Sequence, residues 1–192
     1  GYTLKWTGDF ENQQRASKRL AQVVPVSIAI IFVILFILFS NARDAGLVLL
    51  NVPFAAAGGI IALLITHFNF SISAGIGFIA LFGICIQNGV IMISGIKSNV
   101  RSHIPLSEAV KNTVRSRVRP VVMTAAMAAI GLMPAALSHG IGSESQRPLA
   151  IVIIGGVLCD TFFTLFIFPL IVEVIYGKTL YDKEGKLRQR RV

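Results

Sequence analysis

Four side chains carry acid or hydrogen-bonding chemistry where their neighbours offer none: Gln87, Asn88, Thr124 and Asp160, each set within a long apolar run. A carboxyl such as Asp160 can take up and release a proton, whereas a neutral amide or hydroxyl can only solvate or orient such a group. Gly156, Asp160 and Thr164 recur at i, i+4 spacing and so share one helical face. A carboxyl in apolar surroundings is costly and must be protonated or paired. Asp160 therefore has two readings, a proton or ion path and a neutral, hydrogen-bonded packing residue. Ala80, Gly83, Gln87, Ile91 and Ser94 form another face, with Asn88 about 100° round the helix. Thr124, Ala128, Gly131 and Ala135 make a similar small-residue face. These two faces are expected to pack together, with Gln87, Asn88 and Thr124 in one polar network. Simple interhelical glue is the alternative.

The elements that must position these groups follow from missing charge. Residues 45–96 contain no Lys, Arg, Asp or Glu over 52 positions, and the shorter stretches 20–42 and 120–143 repeat the pattern. Of the 192 residues 54% are hydrophobic and 14% charged, about half the usual charged share of a soluble protein, and the mean hydropathy is +0.74. Too few charges remain to clothe a soluble exterior. A bilayer's hydrocarbon is about 30 Å thick and is crossed by roughly 20 helical residues. The reading is an all-α membrane protein with five transmembrane helices, at about 20–40, 46–65, 72–96, 120–137 and 149–176. Residues 1–19 read as the end of an external domain running through a polar stalk helix into the first crossing. Residues 177–192 read as a basic tail.

Basic residues set the orientation, because cytoplasmic loops keep Lys and Arg. Arg43, six basic residues within 97–119 and six in the tail after Tyr176 lie on one side, which is 13 of the 18. The opposite loops, 66–71 and 138–148, hold only Arg147. The N-terminal end is thus external and the C-terminal end cytoplasmic. Leu106, Ala109, Val110, Thr113 and Val114 recur at helical spacing, which predicts a short amphipathic helix over about 106–116 at the cytoplasmic interface. The net charge of +9 needs little beyond this orientation rule, contact of the basic loops with anionic lipid head groups is favoured over nucleic acid, and the aromatic and basic interleaving of single-strand binders is missing.

Other candidates carry less. Cys85 and Cys159 lie inside crossings without a CxxC spacing, so packing is their reading. Met92, Met123, Met127 and Met133 read as core filler with no adjacent Cys or His to complete a soft-metal site. His67, His103 and His139 fall in loops. No cofactor and no resident metal site is implied, and no HExxH, GxSxG or paired catalytic Asp motif stands at membrane depth.

Four segments carry a family resemblance: GFIALFGICIQNGVIMIS (residues 77–94), RVRPVVMT (117–124), GLMPAALSHGIGSESQRPLA (131–150) and IIGG (153–156). Together with Trp6, Gly8, Phe10 and Glu11, they resemble the second-half helix bundle of resistance-nodulation-division (RND) efflux pumps, of the acriflavin-resistance superfamily. The GxGSExQRPLA pattern is the most specific part and is closest to the heavy-metal efflux branch. The resemblance implies the last five of twelve transmembrane helices of a homotrimeric inner-membrane cation/proton antiporter of a Gram-negative bacterium. Such a pump joins a periplasmic adaptor and an outer-membrane channel, and its main proton-carrying acids lie in the first half.

Carried over residue by residue, Gln87 stands where multidrug relatives have a lysine and copper or silver pumps a glutamate, while Asn88 and Thr124 match polar relay members. Val121 is not the lysine of the copper and silver branch. Divalent-cation pumps commonly have Asn-Gly-Val, as at Asn88, Gly89 and Val90 here. Asp160 departs in the other direction, since relatives usually have a small neutral residue there, so it is a candidate for the acid that Gln87 does not supply. The function implied is efflux of divalent metal such as zinc, cobalt, cadmium or nickel. A multidrug or lipid-exporting relative, or a non-transporting membrane anchor or assembly module, are the other readings.

Overall fold

The computed structural model describes residues 9–140 and 143–177, and Trp6, Gly8 and the basic tail lie outside them. The described residues are helical, and five helices are long and apolar enough to cross a membrane: Gln22–Phe39, Ala42–Ile65, Ile72–Arg101, Leu106–Leu137 and Ser143–Gly177. The elements are α1 (Asp9–Phe39), α2 (Ala42–Leu49), α3 (Asn51–Ile65), α4 (Ile72–Arg101), α5 (Leu106–Leu137) and α6 (Ser143–Phe162). After α6 a π-helical turn, Phe163–Ile167, interrupts the last crossing before helix resumes to residue 177.

Local chemistry explains the boundaries. Pro53 lacks the N–H that would bond to Leu49, which separates α2 from α3, but Leu50 keeps helical dihedrals and the two elements cross as one. Ser71 caps α4 by accepting a hydrogen bond from Ala74 N at 3.2 Å. The short amphipathic helix expected over 106–116 is not separate: it is the first third of α5, which continues unbroken through Pro120. Its buried residues Ala109, Val110 and Thr113 seal it to α4, where Asn99 Nδ2 donates to Thr113 Oγ1 at 2.9 Å. At 1.5 Å per residue, α5's 32 residues span about 48 Å, well beyond the hydrocarbon.

The bundle closes on glycine. Gly58 and Ala62 of α3 face Gly155 and Cys159 of α6 so closely that a Cβ on Gly155 would stand 2.3 Å from Ala62 Cβ and 3.0 Å from Gly58 O. On its other flank α6 meets α4, with Gly77 against Leu149 and Gly156 against Leu81. Small residues let helix backbones approach where lipid removes the ordinary hydrophobic drive for association. The face expected to do this on α4 does not: Ala80, Gly83, Gln87 and Ser94 are exposed, and nothing lies within 4 Å of a Cβ placed on Gly83 or Gly131. The packed face of α4 is the one about 100° away, through Gly77, Leu81, Cys85 and Asn88.

A charged clasp closes the basic-loop end. Lys97 Nζ at the end of α4 lies 2.5 Å from Asp44 Oδ2 in α2, and Tyr176 OH donates to the other oxygen of the same carboxylate. Lys97 also reaches Phe39 O at 3.4 Å and stands 5.2 Å above the Phe39 ring. Asp44 is 1% exposed, so a lone charge there would be uncompensated. At the opposite end Arg147 Nε donates to Ala136 O at 3.3 Å and its guanidinium lies 4.9 Å over Phe68, which ties the start of α6 to the end of α5 and to the α3–α4 turn.

Two outcomes follow for thermal unfolding of the purified protein in detergent. Gly155→Ala forces α3 and α6 apart and destabilises by about 1–3 kcal/mol, while Gly131→Ala is tolerated; equal effects would remove the glycine seam as the bundle's close contact. Lys97→Met strands the buried Asp44 and destabilises by roughly 3 kcal/mol, and adding Asp44→Asn recovers most of that loss. A single substitution no worse than Lys111→Ala would show that the clasp holds nothing.

Candidate functional site

Asp160 occupies the buried face of α6, one turn beyond Gly156, and is 0% exposed. The glycine position determines what Asp160 meets. Leu81 fits over Gly156, and two turns further along α4 Asn88 reaches the carboxylate, donating from Nδ2 to Asp160 Oδ2 at 2.8 Å. Thr164, also 0% exposed and within the π-helical turn, gives a longer contact from Oγ1 to Asp160 Oδ1 at 3.5 Å. Such turns insert one residue into a helix and cluster at functional positions. Here the turn begins three residues after Asp160, and Phe163 within it stacks on Phe54 of α3 at 3.8 Å between ring centroids.

Of the four residues singled out in the sequence, the structure brings two together. Asn88 and Asp160 form the buried pair. Gln87 points away from it, exposed on the open face of α4, with no hydrogen bond among the described residues. Thr124 is half-buried and bonds its own helix, donating to Pro120 O at 2.9 Å. The expected network of Gln87, Asn88 and Thr124 is thus divided, because Gln87 and Asn88 are sequence neighbours and a helix turns adjacent side chains about 100° apart.

No Lys, Arg or His among the described residues forms an ion pair with Asp160. A buried carboxyl with no cation beside it has two stable conditions: a neutral acid, or an anion held by donated hydrogen bonds. Asn88 Nδ2 serves the second, while its own Oδ1 stays available as an acceptor. The arrangement can therefore hold or release a proton, and it does not suit a divalent cation. Among the described residues no group of three or more His, Cys, Asp or Glu side chains could hold a metal.

Two polar residues escaped sequence reasoning. Asp44 was visible only as the boundary of a charge-free stretch, yet it and Lys97 are the charged residues that bracket residues 45–96. Asn51 stood within that stretch and proves 0% exposed.

Comparison with known proteins places the chain in a family. Residues 1–176 match the model of the AcrB/AcrD/AcrF family. The chain is 44% identical over 178 residues to the cobalt-zinc-cadmium resistance protein CzcA of Cupriavidus metallidurans, covering 93% of this chain and 17% of that protein. It is 41% identical over 175 residues to the nickel and cobalt resistance protein CnrA of the same organism, covering 91% of this chain and 16% of the relative. A crystal structure of a heavy metal efflux pump superposes with a TM-score of 0.80 at 45% identity, over 88% of this chain and 17% of the other. The chain thus spans about one sixth of the length of the relatives it matches. Its glycine seam and its GSESQRPLA segment lie within the matched region, and the chain belongs to the AcrB/AcrD/AcrF family.

Proposed function

We propose that this chain is a transmembrane part of a proton-driven heavy-metal cation efflux transporter, exchanging a divalent metal such as zinc, cobalt, cadmium or nickel for protons. The observation that carries the reading is the buried Asn88–Asp160 pair at the meeting of α4 and α6. A membrane anchor has no use for an acid at that depth, since any apolar residue would pack there without the cost of desolvation. The metal-resistance relatives supply the substrate class. The protein works as a secondary active transporter and not as an enzyme. It sits in the inner membrane of a Gram-negative bacterium as a homotrimer, with a periplasmic adaptor and an outer-membrane channel as partners.

In this reading the clasp of Asp44, Lys97 and Tyr176 faces the cytoplasm, because the basic loop begins at Lys97. The exposed face of α4, with Ala80, Gly83, Gln87 and Ser94, meets the other membrane half of the pump. Its small residues permit close approach, and Gln87 offers a neutral amide to a partner there. Asp160, held on α6 against the face of α4 about 100° round from Gln87, supplies an acid that Gln87 cannot.

Inverted membrane vesicles holding the full-length protein provide the test. Energised vesicles are expected to accumulate zinc or cobalt, and a protonophore is expected to abolish the uptake. Accumulation indifferent to the protonophore, or export of organic compounds without any metal, would contradict the proposal.

A further inference from the structure

Asn51 is 0% exposed, yet among the described residues neither its Nδ2 nor its Oδ1 has a hydrogen-bond partner. It opens α3 and lies against α4 at Gly89, where a Cβ would stand 2.4 Å from Asn51 Nδ2. Gly89 is the residue after Asn88, whose Nδ2 holds Asp160. A wholly unpaired carboxamide is the costliest way to fill this space, because it gives up its hydrogen bonds to water and an apolar side chain would have none to lose. Buried polar groups in membrane proteins are satisfied internally, so an orphan packed against α4 one residue from the amide that holds a buried acid marks a place for a guest.

The chemistry narrows the guest. A carboxamide both donates and accepts and carries no charge, which matches water. A divalent cation is a poor match, since Asp160 is the only carboxylate here and the described residues contain no metal-ligating group. The level also fits. Asn51 lies seven residues beyond Asp44, and Gly89 eight before Lys97, so the site stands roughly 10–12 Å inside the charged clasp.

We propose that Asn51 holds a water molecule through which protons enter and leave Asp160 on the clasp side of the bundle. In the uptake direction a hydronium ion at this position gives its proton to the Asp160 carboxylate, leaving water on Asn51 and a neutral carboxylic acid on α6. Release is the reverse. Asn51 is a positioning residue: it fixes the water, and Asn88 fixes the carboxylate. The inference rests on the proton-coupled reading above.

The test uses the full-length pump in proteoliposomes, comparing Asn51→Leu and Asn51→Ser with the unaltered protein for metal-coupled proton flux, thermal stability and the infrared carboxyl band that Asp160→Asn removes. Asn51→Leu should still assemble while its flux falls about tenfold or more, the loss expected when one hydrogen bond to a charged group goes. Its carboxyl band should shift, and Asn51→Ser, whose hydroxyl can still hold water, should restore much of the flux. Unchanged flux in Asn51→Leu, or a carboxyl band unmoved by it, would overturn the site. Should Asn51→Leu fail to assemble, Asn51→Ala, which offers the water no hydrogen bond, takes its place: reduced flux with a shifted band supports the site, and parental flux with a parental band overturns it. If the unaltered pump shows no metal-coupled proton flux, the functional reading fails, and the shift or constancy of the carboxyl band still decides the water site.

Discussion

The ion pair between Asp44 and Lys97 is the interaction on which the rest of the bundle depends. These residues bracket the 52 charge-free positions and close them into a helical hairpin whose two ends emerge on the same side. With Tyr176 on the same carboxylate, the pair also fixes the end of the last crossing. Three membrane-spanning segments are thereby set in depth relative to one another at a single point. Depth is what side-chain chemistry inside a bilayer needs, since a register error of one residue turns a buried polar group about 100° toward lipid.

Within the hairpin, glycine converts that register into a site. Gly155 against Ala62 brings α6 onto α3, and Gly156 beneath Leu81 brings it onto α4. Asp160 follows one turn later on the same face, where Asn88 already waits. A larger residue at Gly155 would separate the helices and leave the carboxyl either unpaired or opened to lipid. The π-helical turn that follows lets Phe163 stack on Phe54 while Thr164 stays beside Asp160. The site is a consequence of backbone proximity first and of side-chain chemistry second.

The sequence made the crossings legible because hydrocarbon imposes a length and a polarity that can be counted directly. It also made Asp160 conspicuous, as an acid with no charged neighbour in an apolar run. It did not say which face of α4 turns inward. Periodicity shows that Ala80, Gly83 and Gln87 share a stripe, but small residues on an open face look the same as small residues in a seam. The partner of Asp160 was therefore recognisable as polar without being recognisable as a partner. The continuity of α5 through Pro120 was hidden for a different reason: the change from polar to apolar composition marks where the helix enters the membrane and not where it begins. Asn51 drew no notice because one amide near a helix start is ordinary until its surroundings are known.

Asp160 is the point at which fold and proposed activity meet, so its role in coupling is the most direct thing to measure. Full-length pump carrying Asp160→Asn should assemble as the parent does, since asparagine keeps the volume and can still bond Asn88. Reconstituted with a pH-sensitive dye inside the vesicles, it should show metal-dependent proton movement reduced to background. An Asp160→Asn pump that exchanges metal for protons at the parental rate and stoichiometry would contradict the account.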